Sequence, residues 1–130
     1  MKIEREQAEG RNLFTGYGPG WVEVNRKRYA ASLVVSGDLL TSDWPLASVN
    51  ELGADHMAAI LAMKPELVLL GTGETFAFPE PARLAPLHKA GIGVEVMDTP
   101  AACRTYNILL GEGRGVVAAL VVVSTTSSPG

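Results

Sequence analysis

Eight consecutive apolar residues, Val116-Val-Ala-Ala-Leu-Val-Val-Val123, lie close to the end of the chain. A run that is apolar at every position, not at alternate ones, fits a strand covered on both faces, and so a central strand in a layered domain. Such a run is far short of the roughly 20 residues that a helix needs to cross a bilayer. Layers on both sides of one strand demand a large supply of apolar side chains. The 130 residues are 47% apolar and 19% charged, which gives one small domain a real core and excludes disorder for its body.

The segments before that strand alternate between strand and helix signals. Residues 16–20, Gly-Tyr-Gly-Pro-Gly, are rich in turn formers. After them, residues 21–35 alternate in a way that predicts an antiparallel hairpin with its tip at Asn25 and Arg26-Lys27-Arg28. Asn25 lacks the following Gly of a two-residue type I′ turn, so a longer turn fits equally. Ser48-x-x-Glu51 reads as a capping box, with Leu52, His56, Ala59, Ile60 and Met63 recurring at helical spacing up to Lys64-Pro65, a helix of about four turns. Residues 66–71 read as a buried parallel strand, and Thr72 and Gly73 open a loop. A second helix is expected from Pro81 to Ala90, kinked or shortened by Pro86 and ended by Gly91. Residues 93–97 form a further strand. Thr99 and Pro100 then read as the N-cap and first residue of a third helix, ended near Leu110 by Gly111 and Gly113. The pattern predicts an α/β domain over residues 13–123, with about three helices, a mixed sheet containing parallel strands, and an N-terminal antiparallel hairpin. Residues 1–12 and 124–130 are expected to be flexible ends.

Gly71-Thr72-Gly73, the stretch from Gly91 to Asn107, Glu112-Gly113-Arg114, the Ala118-Ala119-Leu120 strand and Trp44 together resemble a family of small domains of unknown function. That family includes a mitochondrial respiratory complex I assembly factor, the animal adipogenesis-associated domain proteins and uncharacterised bacterial members. The resemblance covers roughly residues 13–123 and is densest over 91–114. It implies a single three-layer α/β domain with a mixed sheet and no established catalytic activity. Arg26 departs from the Gly that the resemblance implies at the hairpin tip.

Ligands of open α/β sheets bind beyond the carboxyl ends of parallel strands, and two such ends are Gly71-Thr72-Gly73 and Met97-Asp98-Thr99. If the strands are neighbours, their loops face each other across the start of the third helix, whose amides favour a small anion near Thr99. Gly71, Thr72, Gly73, Asp98, Thr99, Cys103 and Arg104 are therefore the candidate crevice. Each also has a plain structural reading: the glycines make a tight turn, Asp98 and Thr99 serve a helix start, Cys103 packs as a small apolar group, and Arg104 is solvated or paired. His56 falls on an apolar stripe with no second ligand at helical spacing, so neither metal nor cofactor is expected. Trp21, Trp44, Phe76 and Phe78 are expected to fill space under the hairpin and the 74–80 loop, with an exposed contact patch as the alternative.

A net charge of −3 argues against a nucleic-acid binder, and one cysteine excludes an intrachain disulfide. The first twelve residues alternate charge and lack the apolar core of a secretory signal, so a cytoplasmic protein without membrane insertion is expected. Mean hydropathy of +0.17 is high for so small a chain and leads us to expect a protein partner or self-association. The expected function is a non-enzymatic binding or assembly module, with a ligand-binding protein or enzyme at the crevice as the alternative.

Overall fold

A computed structural model describes residues 11–124. Of the expected flexible ends, residues 1–12 and 124–130, residues 1–10 and 125–130 lie outside it. Arg11 and Asn12 do not dangle: Arg11 donates to the Leu110 carbonyl at 3.2 Å, and Asn12 to those of Ser36 and Leu39 at 2.9 and 3.1 Å.

The apolar run is strand β8 (Val116–Val123), and it is central. The other strands are β1 (Phe14–Gly18), β2 (Trp21–Val24), β3 (Lys27–Tyr29), β4 (Ala31–Val35), β5 (Leu40–Thr41), β6 (Leu67–Gly71) and β7 (Gly93–Met97). Five of them form a sheet in the order β5-β4-β8-β6-β7, and β1-β2-β3 form a separate sheet. β8, β6 and β7 run parallel, with Leu67 beside both Val116 and Gly93, whereas β4 pairs antiparallel with β8 and β5. Helices α1 (Ala54–Leu61), α2 (Ala85–Lys89) and α3 (Thr99–Gly111) complete the α/β domain.

Alternation along β8 divides the core in two. Val116, Ala118, Leu120 and Val122 face α3 and the small sheet, packing with Ala102, Cys103, Tyr106 and Phe14. Val117, Ala119 and Val121 face the opposite layer, against Trp44, Leu46, Met57, Ile60 and Leu87. Burial on both faces is why every residue of the strand but the last is buried and apolar.

The backbone corrects the reading of the N-terminal hairpin. The turn formers 16–18 belong to β1, so β2 has a hairpin on each side. The second arm of the expected hairpin breaks at Ala30, and its outer half enters the large sheet as β4. At the tip, Asn25 and Arg26 both have positive φ, 50° and 72°, which makes a two-residue turn without glycine. Hydrogen bonds hold that costly conformation in place: the Asn25 side chain accepts from the Leu13 amide at 3.1 Å, and the Arg26 amide donates to the Thr15 hydroxyl at 2.9 Å.

The expected four-turn helix is a 3₁₀ turn at Val49–Glu51 followed by the eight-residue α1. Gly53, extended at φ −137°, interrupts the periodic pattern. Ser48 caps the 3₁₀ turn through the Asn50 amide, and Glu51 reaches back to the Ala47 amide. His56 caps α1 by accepting from the Gly53 amide through Nδ1 at 3.0 Å, while Nε2 meets the Pro45 carbonyl. Residues 81–90 are a 3₁₀ turn and α2, with Pro86 near the start of α2, as its missing amide requires.

Candidate functional site

Where the carboxyl ends of β6 and β7 meet the start of α3, backbone and side chain close on each other. The Thr72 amide donates to the Met97 carbonyl at 2.9 Å, and the Thr99 amide to the Gly73 carbonyl at 2.8 Å. The parallel ladder between β6 and β8 ends at Gly71 and Leu120. One step further, the Thr99 hydroxyl accepts from the Gly73 amide at 3.0 Å and donates to the Val121 carbonyl at 2.9 Å. A side chain thus stands where the next inter-strand hydrogen bond would be. On the other flank of β8, the Ser32 hydroxyl accepts from the Val122 amide at 2.8 Å and donates to the Leu46 carbonyl at 2.6 Å. These two buried hydroxyls satisfy the backbone of β8 where its ladder with β6 ends and where its ladder with β4 is irregular.

Thr99 is therefore not the N-cap. Asp98 holds that position, and its carboxylate accepts from the Ala101 amide at 2.8 Å. That carboxylate occupies a helix start at which the sequence led us to expect a small anion. Gly71 is demanded by contact, because a β-carbon there would lie 2.8 Å from both Leu120 Cδ2 and Thr99 Oγ1. Gly73, at φ 122°, needs the freedom of glycine. Thr72 braces the loop that follows, donating to the Thr75 carbonyl at 2.9 Å and accepting from the Ala77 amide at 3.0 Å.

Of the seven candidate residues, Gly71, Thr72, Gly73 and Thr99 gather at this junction, and Asp98 flanks it as the cap. Cys103 lies in the core at 1% exposure, and burial pushes its thiol up to about 12 against a small opposing pull from Arg104. Arg104 is exposed and donates to the Tyr17 hydroxyl at 2.7 Å. Among the described residues, no group of three or more His, Cys, Asp or Glu is placed to hold a metal ion.

The open space lies beside the junction, not within it. A cleft of about 230 Å³ runs between the small sheet and the end of β8, with Tyr17 and Trp21 on one wall and Pro100 and Val121–Val123 on the other. Thr72, Gly73 and Thr99 reach its floor, and Glu74 stands at its lip. Trp21 lies across Gly18, whose absent side chain makes room for the indole, and the Arg28 guanidinium stacks 3.7 Å above the ring. Sequence reasoning missed Tyr17, Gly18 and Gly20 because it read them as turn. Their signal was a Gly-Tyr-Gly-Pro-Gly-Trp alternation that also suits an edge strand with a Pro-Gly turn.

The aromatic residues divide differently from expectation. Trp44 is core, with Nε1 donating to the His56 carbonyl at 3.1 Å. Phe76 and Phe78 fill no space beneath the loop: they pair edge to face with centroids 4.5 Å apart and are 44% and 82% exposed. Among the described residues, no helix is long and apolar enough to cross a membrane.

Comparison with known proteins agrees with this architecture. The Francisella tularensis protein named "13 kDa major membrane protein" is 31% identical over 117 residues, which cover 89% of this chain and 95% of that protein. The Danio rerio protein named NADH dehydrogenase (ubiquinone) 1 alpha subcomplex assembly factor 3 is 28% identical over 93% of this chain and 70% of its own length. A crystal structure of a Bordetella parapertussis protein is 38% identical, superposes with a TM-score of 0.80, and covers 87% of this chain and 97% of that one. A family model described as "Protein of unknown function (DUF498/DUF598)" matches residues 14–121. The chain belongs to that family.

Proposed function

We propose that the chain is a non-enzymatic protein-binding module that assists the assembly of a larger complex, with a respiratory NADH dehydrogenase as the complex in view. The observation that carries this reading is the closed junction at the strand ends. Its hydroxyls, amides and the Asp98 carboxylate are engaged with one another, and the Cys103 thiol is buried and neutral near pH 7. Similarity to the Danio rerio assembly factor along nearly the whole chain supports the same reading. Action in the cytoplasm is part of the proposal.

Affinity purification of the tagged chain from its native cell, at near-physiological salt, tests the proposal. Subunits of the NADH dehydrogenase are expected to co-enrich over a tag-only control. Recovery of no protein above background, with the chain sedimenting as a monomer, would overturn it.

A further inference from the structure

We infer that the cleft between the small sheet and the end of β8 is the docking site for an extended segment of a partner protein, one carrying an aromatic or large aliphatic side chain next to an acidic residue. This inference rests on the binding-module reading and names the surface that such a module uses.

Size sets the occupant first. The cleft holds about 230 Å³. A cavity of roughly 150 Å³ accepts benzene, and sites for whole small ligands run from about 300 Å³ upward, so this cleft suits a single ring or branched side chain. Chemistry narrows it further. The hydroxyls of Thr72 and Thr99 at the floor are already engaged with the protein's own backbone, which leaves aromatic and aliphatic walls to meet whatever enters. The entering group is therefore apolar.

Charge complementarity fixes what lies beside it. Arg104, four residues after Pro100 on α3, donates to the hydroxyl of Tyr17, a residue that lines the cleft, so its guanidinium stands beside the cleft at Tyr17. Arg104 is exposed, with the Asp98 carboxylate close enough to act on its charge, whereas Arg28 is shared with Glu23 at 3.7 Å. Glu74 lines the cleft from the loop after β6. Arg104 and Glu74 thus put charges of opposite sign at two places along the cleft, which orients a segment with its acidic residue toward Arg104. Tyr, Trp and Arg around one concave apolar spot is the composition that dominates protein-protein binding energy.

Backbone geometry favours an extended occupant. β8 continues through Val123 after β6 has ended at Gly71. Val122 turns its peptide groups toward Ser32 on the β4 side, so by strand alternation Val121 and Val123 turn theirs toward the cleft. Thr99 takes the Val121 carbonyl. A segment lying along Val123 adds main-chain hydrogen bonds to the side-chain anchor.

Selection of phage-displayed random decapeptides on the immobilised full chain, followed by fluorescence anisotropy of the best synthetic peptide, tests this. Enriched peptides are expected to share a Phe, Tyr, Trp, Leu or Met within two residues of an Asp or Glu. Ala47→Trp, which fills the cleft from an exposed position on its wall, and Arg104→Glu should each weaken binding at least tenfold, while Leu39→Glu in the exposed turn between β4 and β5 should not. A peptide with its acid changed to Lys should recover binding to Arg104→Glu, which separates a lost contact from a lost fold. Absence of enrichment, peptides without the apolar-acidic pair, or affinity indifferent to Ala47→Trp and Arg104→Glu would overturn the inference. If Ala47→Trp recovers as much partner as the unsubstituted chain in the native-cell purification, the surface is wrong and the module reading stands; if the unsubstituted chain recovers none, the module reading itself fails.

Discussion

Cys103 shows how burial decides between two chemistries open to the same residue. Early in a helix, a thiol gains from the macrodipole and tends to ionise, but at 1% exposure the cost of a buried thiolate is larger, and the pKa rises to about 12. Between pH 9 and 12 the unfolded chain loses this proton and the folded chain keeps it. The folded state then binds more protons, so its stability, whole below pH 9, falls as pH rises toward 12. Cys103→Ala should flatten that alkaline decline in denaturant melts. At pH 7, alkylation of the native chain should be far slower than in guanidinium, since modification waits on opening of the core. Equal rates in the two conditions would place the sulfur at the surface. The neighbouring exchange of roles was not legible from spacing, because Asp98 and Thr99 are both good caps and only the tertiary position of Val121 draws the Thr99 hydroxyl inward.

At the scale of elements, the strands and helices that the sequence expressed through local signals are where they were expected: β6, β7, β8 and α3 each have an apolar run or a cap with a glycine stop. What the sequence hid depends on distant partners. β1 is an edge strand of alternating glycines whose packing partner is α3, where the Asn107 amide donates to the Phe14 carbonyl at 2.8 Å and accepts from the Phe14 amide at 2.9 Å. That side chain pairs with the edge of β1 as a neighbouring strand would. The break at Gly53 was hidden by apolar residues that keep helical spacing across it. The candidate site was legible in part: Gly71, Thr72, Gly73 and Thr99 do converge, yet the Thr99 hydroxyl between β6 and β8 fills the crevice that strand-end logic leaves open. Thr99→Val keeps the shape and strips the hydroxyl, leaving the Gly73 amide and the Val121 carbonyl unpaired. It should cost about 2–3 kcal/mol in a denaturant melt, and Thr99→Ser, which keeps the hydroxyl, only about 1 kcal/mol. Similar midpoints for Thr99→Val and the unsubstituted chain would mean that the hydroxyl does not bridge the strands.

For the molecule as a whole, one doubly covered strand carries two cores, and hydroxyls tie off its end so that a cleft stands open under the small sheet. The Cys103 thiol is drawn into the fold, while aromatic rings and an arginine stand around the cleft. On the proposed function, the chain works by recognition through that cleft and not by chemistry at the strand ends. The direct measurement replaces the native gene with Ala47→Trp or Cys103→Ala and quantifies fully assembled NADH dehydrogenase on native gels. Cys103→Ala should leave the amount near that of the unsubstituted chain, and Ala47→Trp should lower it toward the level of a gene deletion. Loss of assembly with Cys103→Ala at normal levels of folded protein, together with full assembly in Ala47→Trp, would mean that the protein acts through its thiol and not through the cleft.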